Sequence, residues 1–486
     1  MELLYSRCAG LDVHKKSVSA CVRVSTDGKT QKDNAVFGTF TGELEQLRAW
    51  LEKNKVTHVA LESTGVFWMP VWNVLERSLA NFELVLINPQ HVHALPGRKT
   101  DQKDCERIAE LMQYGLLKGS FIPPVPVREL RDLTRRRTHL QGERNRVLNR
   151  IRRLLETVNV KLGSVASDIS GKTARLILAQ ISKGNYVPEE LAKLAQASLK
   201  NKKGELIASL QGFYTEHFRW LLAESLQELV QLDGKLERGD KRIAIHLQPH
   251  ADLIRRLCTI PGVEFTAAAV ILAEIGFDMN RFPDPAHLAS WAGLCPGNNE
   301  SAGKRYSGTA RKGNRYLRRV LTQSAWSIKR KKNCYLTSLF WRIAGRAGQK
   351  KAALAVAHRI LTIVWHLIAD GSTYQEFGAN FHDQKHPDRS ARRLIRRLEQ
   401  LGFEVDAKPK AETATRITIE QPLQLSPPSP TPKLNTPQPA VAEASEVRPR
   451  PAKPSKPKFQ KLLVKRKPRT PKPTSTTDAN PAISRI

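Results

Sequence analysis

The chain reads as an α/β domain with a mixed sheet, joined by one long helix to an all-α region and followed by a polar tail. Three observations predict this. Between positions 6 and 87, apolar residues run first as three short extended segments and then as helix and strand in alternation, which is the pattern of a mixed sheet. Leu133, Leu140, Val147 and Leu154 then recur every seven residues, as on one long helix. From 251 to 370 the apolar segments are rich in Ala and Leu at helical spacing.

Taken in order, CAGLDVHKK and SVSACVRV form two strands around a short turn, and a third strand at Ala35–Thr41 completes a meander. Thr41 is expected to cap a helix whose Leu44, Leu47, Trp50 and Leu51 share a face. A short strand, Val56–Leu61, ends in Glu62; a helix over Val66–Leu79 and a strand over Glu83–Ile87 follow. KTDQKDCERIAELM, from Lys99 to Met112, opens a helix with Thr100 as its N-cap and Asp101 and Asp104 on one face of its first turn. The helix over 127–161 carries Leu130, Ile151 and Val158 on a second seam, interrupted by Arg137 and Arg144, and its other faces are densely basic. Either a solvated face or a nucleic-acid contact explains those charges. Residues 162–250 read as a helical spacer or arm. Leu253–Leu257, the turn Ile260–Val263 and the helix Phe265–Ile275 have the layout of a helix-hairpin-helix, with Glu264 where a second glycine is usual; a carboxylate there repels phosphate, so the element is expected to serve packing. A capped helix at Pro285–Ala292, a Gly/Asn/Ser loop at Gly293–Ser301, a basic stretch and a helix from about Asn314 come next, and apolar helices continue to Ala369. From Ala407 the composition turns to Pro, Lys, Thr and Ser, which cannot form a core. The expected divisions are 1–125, 126–161, 162–250, 251–372, a helical extension at 373–406 and a disordered tail at 407–486.

The 486 residues carry a formal net charge of +33. A chain this basic points to a polyanionic partner, nucleic acid first. No apolar run looks long enough to span a bilayer, and Met1–Gly10 does not read as a signal peptide, so no membrane partner is expected. The six cysteines are scattered without a CxxC pair, as in a reducing cytoplasm, and give no disulfide frame or zinc site.

Acids in a first turn are ordinary helix-start chemistry. Here two more acids stand at strand ends: Asp12 in the first strand and Glu62 closing the fourth. If those strands are neighbours and the 99–112 helix packs across them, four carboxylates converge. Like charges so placed repel unless cations neutralise them, and two Mg²⁺ ions about 4 Å apart would do so and clamp a phosphodiester.

GLDVHKKS, ALESTGVFW and KTDQKDCERIAEL resemble the three acidic motifs of the DEDD-type insertion-sequence transposases. IPGVEFTAAAVILAEIG, RFPDPAHLASWAGLCP, ESAGK and RKGNRYLR resemble that family's C-terminal transposase domain. The resemblance covers roughly 5–160 and 250–370. It implies a Holliday-junction-resolvase (RNase H-like) N-terminal fold. It also implies a bridge RNA as guide, donor and target DNA as substrates, an assembly of several subunits (dimer or tetramer), and a place in the bacterial cytoplasm at the nucleoid. Residue by residue, Asp12, Glu62, Asp101 and Asp104 match the metal-binding acids and Ser301 the catalytic serine. Lys15, Arg305, Arg311, Lys312, Arg315 and Arg318 are the candidate nucleic-acid contacts. A serine nucleophile suits recombination, because a phosphoserine ester conserves the linkage and rejoining needs no ATP. Glu264, the long 162–250 stretch and the basic tail depart from the family's pattern.

Three functions follow from the residues: a Mg²⁺-dependent, serine-dependent transposase; a junction nuclease using the same acids with water; or a nucleic-acid-binding protein without catalysis. All three share one consequence. Nucleic-acid affinity should fall steeply with salt, with log Kobs losing roughly 0.9 per neutralised duplex phosphate for each tenfold rise in salt. A flat response in a filter-binding titration would exclude a polyanion as the partner.

Overall fold

A computed structural model of the chain describes residues 3–26, 29–63, 65–78, 82–88, 101–117, 119–297, 299–301, 304–307, 310, 312–385 and 387–406; at 101–103, 299–301 and 304–307 it describes the backbone only. Thr100, Arg311 and the 407–486 tail lie outside these residues.

The N-terminal sheet has five strands: β1 (Arg7–Val13), β2 (Ser17–Thr26), β3 (Lys29–Gly38), β4 (His58–Glu62) and β5 (Glu83–Ile87). Their order is β3-β2-β1-β4-β5. β1 to β3 form an antiparallel meander, while β4 lies parallel to both β1 and β5, so the sheet is mixed as expected. β3 begins earlier than its apolar pattern indicates. Its first half, KTQKDN, is an exposed edge segment that needs only backbone partners on β2, and hydrophobicity carries no signal of it.

β1 is covered on both faces, which is why it is apolar throughout. Ala9, Leu11 and Val13 meet α1 (Thr41–Lys53) and α2 (Trp68–Leu75) through Leu44, Leu47, Leu51, Val71 and Leu75. Thr41 is the first residue of α1 and Phe40 its N-cap, whose N–H donates to Glu43 Oε2 at 2.9 Å. α2 is shorter than the expected 66–79. The other face of β1, with Cys8, Gly10 and Asp12, lies under α3 (Asp101–Gln113).

α4 (Val125–Thr157) is the long helix. Its buried stripe drifts instead of holding a strict heptad seam, as a straight helix of 3.6 residues per turn must. Leu130 sits in the C-terminal core, whereas Leu140, Val147, Leu148, Ile151 and Leu155 form a second core. Leu133 and Leu154, expected on the main seam, are only partly buried. The 162–250 stretch supplies the other side of that second core. It holds α5 (Leu162–Val165), α6 (Lys172–Ser182), α7 (Pro188–Lys193), α8 (Lys203–Ser209) and the long α9 (Glu216–Leu247). α9 runs antiparallel to α4. Arg137 pairs with Asp240 at 2.5 Å, Arg144 with Asp233 at 2.6 Å and Arg150 with Glu228 at 2.6 Å, so the partner number falls as the arginine number rises. The two arginines that interrupt the seam are therefore held by acids of this same chain.

The third core gathers α10 (Ala251–Cys258), α11 (Phe265–Ile275), α12 (Pro285–Trp291), α13 (Arg315–Ile328), α14 (Tyr335–Ala347) and α15 (Gln349–Ala369); α16 (Phe381–Lys385) and α17 (Pro387–Gln400) follow. The turn between α10 and α11 is a packing element: Gly262, at φ +78°, lies against Ser324 and Ile328 of α13 so closely that a Cβ would stand 2.6 Å from Ile328. Two expectations need correction. The C-terminal region is not wholly helical, because β6 (Asn299–Ser301) and β7 (Lys304–Ser307) form a hairpin. And α15 is long and apolar enough, by length and composition, to cross a membrane; its buried face, including Ala353, Val356, Ile360 and Val364, packs in the C-terminal core.

Gly10 sets how closely α3 approaches the sheet. A Cβ there would stand 2.3 Å from backbone atoms of both Cys105 and Ala109. Gly10→Ala should lower stability by about 1–3 kcal/mol through overpacking. Gly142→Ala, in the α4 interior with nothing within 4 Å of its Cβ, should raise stability by up to about 1 kcal/mol. Urea midpoints that move together, or not at all, would contradict this packing.

Candidate active site

The site is built where two strands end and a helix begins. Leu11 pairs with Leu61 in the parallel β1–β4 ladder, so Asp12 and Glu62 stand one step beyond, side by side at the carboxyl ends of the two strands. Adjacent strands lie about 4.8 Å apart. Asp12 is 6% exposed and faces Ser19 across the antiparallel pair with β2.

α3 crosses this face antiparallel to β1. Cys8 Sγ donates to the Ala109 carbonyl at 3.4 Å, while Gly10 lies beneath Cys105 and Ala109. The first turn of α3, with Asp101 and Asp104, is therefore the end nearest Asp12. The thiol of Cys105 senses that carboxylate: burial pushes its pKa up to about 12, with Cys21, Glu106 and Asp12 adding to the shift. Two anchors hold the helix in this register. At its C-terminal end, buried Arg23 donates to Gln113 Oε1 at 2.6 Å, and Gln113 in turn donates to Ser25. Midway, Asn34 donates to Glu106 Oε1 at 2.7 Å; that bond, then Lys32, holds the Glu106 carboxyl below its ordinary range.

The structure thus brings Asp12, Glu62 and the first turn of α3 to one edge of the sheet. Asp104 is half-buried; the Asp101 side chain lies outside the described residues. Among the described residues no three His, Cys, Asp or Glu side chains already stand as a metal-ligand group. The donors are hard carboxylate oxygens backed by a helix N-terminus, and oxygen donors of this kind suit Mg²⁺. One neighbour escaped the sequence reading. His14 Nε2 lies 3.1 Å from Asp12 Oδ2. A signal was present, since His14 stands two residues after Asp12, directly past the end of β1. Lys15 is an exposed residue of the turn that follows.

Ser301 ends β6 and pairs with Lys304, so it stands at the tip of the hairpin; its side chain, and that of Arg305, lie outside the described residues. The feet of the loop are described. A Cβ on Gly313 would stand 2.4 Å from the backbone of Ala292 and Gly293, so only glycine lets the two ends close together. Asn314 caps α13, accepting from the N–H groups of Tyr316 and Leu317 at 3.0 and 3.1 Å. Lys312 and Arg315 are exposed nearby, and Arg318 is half-buried.

Asn314 also donates to Glu274 Oε2 at 2.6 Å. Glu274 is fully buried near the end of α11 and accepts two bonds from Arg135 of α4, each 2.9 Å long. Arg131 donates to the Ala273 and Glu274 carbonyls at 3.0 and 2.9 Å, satisfying groups that a helix C-terminus leaves open. Burial works against the charge of both arginines. At Arg131 burial prevails and the pKa falls, whereas at Arg135 burial is outweighed by the Glu274 hydrogen bonds together with the charges of Glu274, Tyr316 and Asp132, and the pKa rises. This network, too, was missed. Its signal is an acid inside FTAAAVILAEI, since a charge in so apolar a helix requires partners.

The N-terminal sheet and the C-terminal core are linked. Gly119 bridges to Ile87 of β5, and Ser120 N–H donates to the Leu86 carbonyl at 2.6 Å. The next residue, Phe121, packs edge-on to Phe282 and Trp291 at 5.9 and 6.1 Å, with Arg131 and Arg281 over its ring.

Comparison with known proteins agrees with this division. Residues 9–160, which contain all four acids, match a family model described as a transposase, of the DEDD and IS110 kind. Residues 254–342, which contain Ser301, match a model described as the transposase IS116/IS110/IS902 family. The chain is 25% identical over 299 residues to the transposase for insertion sequence element IS1111A of Coxiella burnetii, covering 60% of this chain and 72% of that one. It is 27% identical over 334 residues to the uncharacterized 42 kDa protein of insertion element IS900 from Mycobacterium paratuberculosis, covering 61% and 79%. It is 33% identical over 121 residues to the uncharacterized 43.6 kDa protein of insertion element IS110 from Streptomyces coelicolor, covering 24% and 29%.

Glu274→Gln leaves two partly buried guanidinium groups without their counter-charge. It should lower stability by about 1–3 kcal/mol, less than a fully buried pair because Arg135 is partly solvated. Unfolding in urea reads the effect directly; a midpoint equal to that of the parent would show that the network carries no such weight.

Proposed function

We propose that this chain, an IS110/IS116-family transposase by its two matched segments, cuts and exchanges DNA strands through Ser301, with Asp12, Glu62, Asp101 and Asp104 holding Mg²⁺, two ions in the full site. The observation that carries the reading is the Leu11–Leu61 pairing, which sets Asp12 and Glu62 one step beyond it at the ends of β1 and β4, beside the first turn of α3, in a chain of net charge +33. Carboxylates that converge repel one another, and cations binding there would offset that repulsion.

Bound there, Mg²⁺ would stabilise charge on the phosphodiester and lower the pKa of a nearby hydroxyl. The remaining steps belong to the chain. Ser301 Oγ forms a bond to phosphorus as the bond from phosphorus to one sugar oxygen breaks. The proton lost by the serine hydroxyl is balanced by one gained at the leaving sugar oxygen. Rejoining reverses these events with a different sugar hydroxyl, which is strand exchange. Lys15, Arg305, Arg311, Lys312, Arg315 and Arg318 bind the phosphates on either side. The clamp at Gly313 and Asn314 fixes the foot of the segment that carries Ser301. The proposal extends to a structured guide RNA and an assembly of several subunits, and for these the support is the resemblance of the motifs together with the basic charge.

Ser301→Ala should abolish the covalent protein–DNA adduct on a denaturing gel, as well as strand exchange, while DNA retention in a native gel persists. Undiminished cleavage by that variant would mean a nuclease that uses water. Asp12→Asn and Asp104→Asn should each reduce Mg²⁺-dependent turnover by more than about a hundredfold, beyond what outer-shell partners of a metal contribute. Full activity in both would remove the metal site.

A further inference from the structure

Residues 301–369 contain sixteen Lys and Arg and not one Asp or Glu. Within this acid-free sector two tryptophans are left at the surface. Trp326, in the last turn of α13, is 39% exposed, and Trp341, in the second turn of α14, is 46% exposed. They share one cation: Lys329 Nζ lies 5.6 Å from one ring centroid and 5.4 Å from the other. Lys329 opens the run Lys329-Arg330-Lys331-Lys332, which forms the turn between the two helices and whose last three residues are exposed.

The rings are held in place before any ligand arrives. Buried Phe340 meets Trp326 edge-on at 5.7 Å and Trp341 at 5.5 Å. Trp341 Nε1–H donates to the Lys329 carbonyl at 3.2 Å. The indoles are therefore backed by the core and tied to the basic turn. Charge complementarity selects a polyanion for this corner, and flat aromatic surface selects bases. A duplex hides its base faces and offers only phosphates, which cations alone would satisfy. Unpaired nucleotides offer both, and stacking on aromatic side chains tolerates any base.

We infer that the corner formed by Trp326, Lys329 and Trp341 is a binding site for unpaired nucleotides, whose bases stack on the indoles and whose phosphates meet Arg330, Lys331 and Lys332. This goes beyond the cleavage chemistry proposed above, and it is tested by binding alone, so failure here leaves the Ser301 reading standing.

The test uses the full chain with a fluorescent oligothymidylate of about twenty nucleotides, and with a duplex of equal length. Trp326→Ala and Trp341→Ala should each weaken oligothymidylate binding about 5- to 100-fold and leave duplex binding unchanged. Trp341→Phe, which keeps a stacking ring, should retain most of the affinity and guards against misfolding of the alanine variants. An oligothymidylate carrying one 5-iodouracil should photocrosslink to Trp326 or Trp341. Parental binding by both alanine variants, equal loss of duplex and oligothymidylate, or crosslinks only elsewhere would overturn the inference. So would an acidic polypeptide, polyglutamate, that competes as well as the oligonucleotide.

Discussion

The Glu274 carboxylate is the constraint on which the arrangement of the C-terminal half depends. A fully buried charge persists only when it is paired and hydrogen-bonded. Arg135 meets it from α4, and Asn314 meets it from the foot of the serine hairpin. Satisfying one side chain thus fixes three elements relative to one another. Arg131 extends the constraint, because it closes the end of α11 with two carbonyl bonds while its guanidinium lies over Phe121. Phe121 in turn follows directly on the segment that pairs with β5. A short physical path therefore runs from the N-terminal sheet, through Phe121 and Arg131, to the hairpin that bears Ser301.

The acidic end of the sheet depends on a different economy of contacts. Gly10 allows the backbone of α3 to lie on β1, and Arg23 and Asn34 hold the helix at its far end and its middle. What these contacts leave at the near end is a first turn with two acids, beside two strand termini that each carry one. The helix is thus anchored at positions away from that end.

Much of this was legible in the sequence. Short apolar runs located β1, β2, β4 and β5, with Asp12 in the first and Glu62 at the end of the fourth, one step beyond the Leu11–Leu61 pair. Asn314 was legible as a helix start, and the structure finds it capping α13. What stayed illegible was whatever depends on pairing across distance. The polar half of β3 has no hydrophobic signal, because an edge strand is specified by its neighbour's backbone. The acids of α9 that hold Arg137 and Arg144 lie about ninety to a hundred residues away in sequence. α15 reads by composition as a membrane-length segment, and only the helices around it explain its apolarity. His14 and Glu274 did carry local signals, closeness in sequence to Asp12 and a charge in an apolar helix.

The central claim is that the carboxylates of β1, β4 and α3 form one metal site. Replacing Mg²⁺ with Fe²⁺ and generating hydroxyl radicals in place tests it most directly, because the protein backbone is then cut where the ion sits. The account predicts cuts near Asp12, near Glu62 and in the first turn of α3, suppressed by excess Mg²⁺ and lost in Asp12→Asn. Cuts confined to other regions, or an unchanged pattern in that variant, would contradict it.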